Sequence, residues 1–156
     1  MNGQSSYGKF GMMMLVSFVV MYAVMFLNVD RTEHVYLSLT RFYMALLMVA
    51  PMAISMMLFM WKMYADEMMN KLIILAAVLV FIFALVFLRN QTFVSDRQYM
   101  KAMIPHHSSA IMTSRHANIK DPEVRKLADS IIQSQRREIA QMKAALKRLE
   151  EYEAAK

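Results

Sequence analysis

The string Met103-Ile104-Pro105-His106-His107 sets two adjacent imidazoles directly after a proline and close behind a thioether. Three of the four histidines in the chain, His106, His107 and His116, fall within eleven residues. On a helix, Met100, Met103 and His107 stand at i, i+3 and i+7 and share a stripe, while Met112 and His116 pair on nearly the opposite side. Thioether and imidazole together are a soft-to-intermediate donor set that suits Cu(I) or Ag(I), whereas Mg(II) or Ca(II) would want oxygens. Cu(II) remains open through the histidines. The chain has no cysteine, which excludes disulfides, thiolate zinc sites and thiol catalysis.

Two helices must position these groups. The break between them reads Asn118-Ile119-Lys120-Asp121-Pro122-Glu123. Asp121 is a suitable N-cap, Pro122 fits the first helical position, and Glu123 favours the positive helix end. Leu127, Ile131, Gln135, Glu138, Met142 and Leu149 then recur at helical steps, with Ile132, Ile139 and Leu146 beside them. Helices are expected over about 92–118 and 122–153, with a kink or a fresh start at Pro105. Folded about residue 120, Met100 would face Met142, Met103 would face Glu138, and His107 would face Gln135. Glu138 would then be a ligand for a harder metal or an acceptor that fixes a histidine tautomer.

Ahead of this hairpin the composition changes. Residues 1–88 hold five Lys/Arg against four Asp/Glu, and residues 89–156 hold thirteen against eight. Hydrophobic residues make up 58% of the chain, above the usual ~45–50%. Three uncharged apolar runs, 10–27, 42–61 and 72–88, are long enough to cross a bilayer as helices. The first closes on bulky Met25, Phe26 and Leu27 rather than a small-residue cleavage site, so it reads as a retained helix and not a signal peptide. The expected architecture is all-α: a membrane domain over 1–90, then a water-facing antiparallel hairpin over 91–156. Three crossings put the termini on opposite sides, and the positive-inside rule alone leans to a cytoplasmic C-terminus. His34, beside Glu33 in the first connection, reads as a loop residue.

Each feature has a plainer reading. Methionine in an apolar stripe is usually core filling, and His116 near a helix end can simply complement the dipole. Fifteen of the nineteen methionines precede residue 89, and Met44, Met48, Met52, Met56 and Met60 follow strict i+4 spacing. That ladder either passes soft metal along the membrane or fills irregular contacts around Pro51. No intramembrane charge marks an ion path.

Met103-Ile104-Pro105-His106-His107, Asp121-Pro122-Glu123-Val124, Gln135, Glu138-Ile139 and Met142 resemble the ferritin-like family catalogued as domain of unknown function 305 over residues 97–150. The first 90 residues resemble a membrane-anchored bacterial subgroup. The resemblance implies an all-helical domain facing the periplasm or the cell exterior, in a family linked to copper or silver binding and tolerance. Carried over by position, it points to Met103, His106, His107, Glu138 and Met142, and further to Met112 and His116. It opposes the charge-count orientation, and a long basic domain can be translocated despite its charge. Many relatives look like tandem hairpins, whereas this chain has one, so homodimerisation into a four-helix bundle is the expected repair.

The leading reading is a multi-pass protein of the bacterial inner membrane that binds copper or silver at the periplasmic face, buffers it or hands it to a metal-efflux or copper-handling partner, and makes no bonds. A di-iron oxidase would need Glu-x-x-His pairs, but Met103, Ile104 and Thr113 stand three residues before the histidines. The competing non-catalytic reading is a basic hairpin docking on lipid headgroups or a membrane partner. Nucleic-acid binding is not expected, because the cations are spread among acids rather than concentrated on one face.

Overall fold

The computed structural model describes residues 2–154, with side chains from Tyr7 onward, so the last two residues of the predicted hairpin domain lie outside the described residues. Five α-helices follow in order: α1 (Asn2–Val24), α2 (Leu39–Phe59), α3 (Glu67–Asn90), α4 (Asp96–His116) and α5 (Pro122–Ala154). Single 3-10 turns lie at Thr32–His34 and Trp61–Met63, and the described residues contain no strand. The helices fall into two compact units, one of residues 1–25 and 40–92, the other of 26–39 and 93–156.

In the first unit α1, α2 and α3 are each long and apolar enough to cross a membrane. Their packing is inverted relative to a soluble core. Small residues such as Ala45, Ala50, Ala53, Ala77 and Ala84 are buried, while Val16, Val20, Leu72, Ile82 and Phe83 face outward. That is the arrangement expected where lipid, not water, is the solvent and close helix approach drives association. α3 starts earlier than its apolar run because Asp66 caps it, accepting from the Met68 and Met69 amides at 2.9 and 3.1 Å. Asn70 is fully buried on the first turns of α3 and satisfied there. It accepts from Tyr7 Oη at 2.8 Å and donates to the Tyr64 carbonyl at 3.2 Å. The α2 methionines divide: Met57 is fully buried with Phe10 and Tyr64, Met56 and Met60 pack against that cluster, and Met44 and Met48 face outward.

The second unit is the hairpin. Asp121 Oδ1 accepts from the Val124 amide at 2.9 Å and so starts α5 where the sequence places it. α4 begins later than expected, at Asp96, because Phe93 adopts a left-handed φ of 60° that no helix accommodates. It then runs through Pro105 without a break, the missing amide bond tolerated while Ile104, Pro105 and Ile111 are held in the core. Ile104, Ile111, Ile139 and Leu146 form that core, with Tyr36, Met100, Ile132 and Met142 half-buried around it. The buried line on α5 is therefore Ala128, Ile139 and Leu146, whereas Leu127, placed on the buried stripe from sequence, is 60% exposed. Neighbouring positions differ by about 100° around a helix, so a shift of one residue exchanges the two faces.

The first connection is more than a polar loop. The Asp30 amide donates to Ser108 Oγ at 2.8 Å, and His34 Nδ1 meets the same hydroxyl at 2.9 Å. Asn28 donates to Ser109 Oγ at 2.8 Å and the Leu39 amide to Gln98 at 3.0 Å, so residues 28–39 are stitched along α4.

Candidate metal centre

The donors that come together are Met100 and His107 from α4 and Glu138 and Met142 from α5. They line one open cleft of about 330 Å³, with Tyr99, Gln141 and Ala145 completing the wall. α4 contributes through the i, i+7 relation, two full turns that return both side chains to nearly the same side. α5 contributes through i, i+4. Met100 and Met142, expected to face each other, line the same cleft. His107 departs from the expectation: it meets Glu138, not Gln135, and Met103 is not part of the wall. Side chains on a helix cover a spot about one residue N-terminal to their own Cα. In an antiparallel pair both tips lean back along their own chains, so touching residues carry higher numbers than facing backbones do.

His107 Nδ1 lies 3.1 Å from Glu138 Oε2. This buried nitrogen makes no hydrogen bond with the carboxylate despite its proximity. Its side chain is 13% exposed, that of Glu138 42%. Glu138 is held from its other oxygen: Ser134 Oγ donates to Oε1 at 2.6 Å, one turn earlier on α5. Burial pushes the His107 imidazole below its ordinary 6.5, opposed by the Glu138 charge and assisted by His106. Neutral imidazole is the form that can ligate a metal. Among the described residues no three His, Asp or Glu side chains gather as a metal site. Beside His107 and Glu138, the other side-chain donors in the wall are the thioethers of Met100 and Met142, the Tyr99 hydroxyl and the Gln141 amide.

The other expected ligands stand apart from this cleft. His106 is exposed, its ring centroid 6.1 Å from that of His107 and tilted by 59°. Adjacent helical residues point about 100° apart, so His106 does not share the cleft wall that His107 lines. Met103 is half-buried about 60° round α4 from Met100. Met112 is half-buried on a different side of α4. His116 is exposed, and its Nδ1 lies 3.0 Å from the Met112 backbone carbonyl rather than its thioether.

Sequence reasoning missed Ser134 and the place of His34. Ser134 is four residues before Glu138, a spacing that could have flagged it. His34 is 6% exposed and sits at the centre of a polar cluster. Its Nε2 lies 3.4 Å from Glu33, and its Nδ1 meets the Ser108 hydroxyl at 2.9 Å. Around it Arg115 pairs with Asp30 at 2.7 Å and Lys143 with Glu33 at 3.1 Å. Burial, then the Lys143 charge, lowers the His34 pKa. The Lys143 contact holds the Glu33 carboxyl below its ordinary value.

No solved structure matches the chain. An uncharacterized protein of Acanthamoeba polyphaga mimivirus is 35% identical over 138 residues, covering 86% of this chain and 89% of the viral protein. The family described as Domain of unknown function (DUF305) matches residues 51–146. The match reaches upstream of the 97–150 stretch in which the motifs lie, taking in Pro51 to the end of α2 and all of α3. It spans more than half of the sequence and includes Met100, His107, Glu138 and Met142 of the cleft, so the chain belongs to the DUF305 family.

Proposed function

We propose that this is a membrane-anchored protein that captures Cu(I) or Ag(I) in the cleft between α4 and α5 and buffers the ion or passes it on. The observation that carries this reading is the convergence of two thioethers, one imidazole and one carboxylate on a single opening. Sulfur donors favour a soft monovalent ion, and the neutral imidazole adds a nitrogen without adding charge. Glu138, whose other oxygen accepts from Ser134, lies 3.1 Å from His107 Nδ1 and would serve as an outer partner of the ion once a hydrogen bond forms there. The cleft is open to solvent, which suits handover better than permanent storage.

The rest of the reading follows the family resemblance. The hairpin stands on the periplasmic side of a bacterial inner membrane, contributes to metal tolerance, and pairs with a second copy in a four-helix bundle. The exposed Val124 and Leu127 on α5 are the apolar surface such a dimer would cover. Catalysis has no part in this proposal.

The test is Cu(I) competition titration of the full chain in mild detergent against a chromophoric chelator. The Met100→Leu/Met142→Leu variant keeps volume and apolarity, and His107→Gln keeps polarity. Each should weaken Cu(I) binding by at least about ten-fold, roughly the loss of one ligand contact. His116→Gln should bind like the wild type. Unchanged affinity in the first two variants ends the proposal.

A further inference from the structure

A second cleft, of about 280 Å³, lies in the hairpin unit and shares no residue with the first. Its walls come from the 30–34 turn, α4 and α5. The floor is apolar: Ile111 and Ile139 are 1% and 4% exposed. Three cations stand around it, Arg31, Arg136 and Lys143. Two acids stand there as well, Asp30 and Glu33, and both are already engaged. Asp30, with its side chain 4% exposed, is paired with Arg115. Glu33 is shared between Lys143 at 3.1 Å and Arg31 at 3.7 Å. Four cations are thus set against two acids, and the Arg136 guanidinium contributes positive charge that neither acid cancels. His34, between them, is buried and bonded to Ser108.

We infer that this cleft is a binding site for a phosphate-type oxyanion, held by Arg136 and Arg31 with Lys143 behind them. Planar guanidinium groups match tetrahedral oxyanions with paired, charge-assisted hydrogen bonds. An apolar floor beneath the cations lowers the local dielectric and strengthens the attraction. The turn carrying Arg31 lies in the chain between α1 and α2, both long and apolar enough to cross a membrane. The oxyanion therefore has two natural sources, the headgroup of an anionic lipid or a soluble phosphate. This inference does not depend on metal binding in the other cleft.

The experiment is isothermal titration of the full chain in nonionic detergent with two probes, inorganic phosphate and dihexanoyl phosphatidic acid. Saturable binding of at least one probe is expected, weakened at least about ten-fold in Arg31→Gln/Arg136→Gln, as for loss of charge-assisted hydrogen bonds. Arg137→Gln, an exposed cation outside the cleft, should bind like the wild type. Preference for the lipid assigns the site to a headgroup, and equal or better binding of free phosphate assigns it to a soluble anion. Copper affinity should be the same in all these variants, which separates this site from the metal cleft. No saturable binding of either probe to the wild type overturns the inference. So does equal affinity in the double variant, or an equal loss in Arg137→Gln.

Discussion

At the scale of single residues, His107 shows how position selects one of two identical side chains. His106 and His107 differ by one step of the helix, yet one is exposed and the other is tucked against Glu138. Burial lowers the His107 pKa, so protons compete with metal for its nitrogen only below the ordinary 6.5. Cu(I) affinity of the full chain should then stay level from pH 8 to 6.5 and fall only at lower pH. In His106→Gln the same profile should persist, because that ring is outside the cleft. A decline already under way at pH 7.5 would contradict the burial argument. His34 is the converse case. Nothing in its sequence neighbourhood marks it as buried, because the partner that buries it, Ser108, is seventy-four residues away.

At the scale of elements, the helices were legible and their exact faces were not. Long uncharged runs need no tertiary information to be read as spans, and Asp121-Pro122-Glu123 announces α5 through local chemistry alone. The boundaries of α3 and α4 depended instead on Asp66 capping and on the left-handed backbone at Gln91 and Phe93, which a composition window does not register. Leu127 and Ala128 exchanged places because the α5 pattern is apolar enough for either face to serve. The core test is Ile139→Ala. Removing this nearly buried side chain should cost about 3 kcal/mol of hairpin stability and lower its melting transition by circular dichroism, whereas Leu127→Ala should be close to neutral. The docked 26–39 segment adds a pH term. His34 has a lowered folded-state pKa, so the unfolded chain binds more protons near pH 6. Its contribution to stability is complete above about 6.5 and is lost as pH falls through that value towards the folded pKa. The melting temperature should therefore drop between pH 7 and 5.5, with a shallower drop in His34→Gln. An identical slope in that variant would rule out His34 as the source.

At the scale of the whole molecule, one chain carries two packing styles. Alanines inside and large apolar residues outside suit the three spans, while buried isoleucines and surface ion pairs suit the hairpin. The sequence carried this division in its charge distribution, but it could not show that the 26–39 connection packs with the hairpin, since that rests on hydrogen bonds and ion pairs between distant residues. The cleft between α4 and α5 was only partly legible in the identity of its lining residues. Of eight residues named for the ion, Met100, His107, Glu138 and Met142 share a cleft, and Met103, His106, Met112 and His116 stand outside it. X-ray absorption at the copper edge, on the full chain loaded with one equivalent of Cu(I), tests that arrangement most directly. Sulfur and imidazole nitrogen should both appear around the copper, with the sulfur signal lost in Met100→Leu/Met142→Leu. A spectrum containing only nitrogen and oxygen neighbours, or one unchanged in that variant, would contradict it.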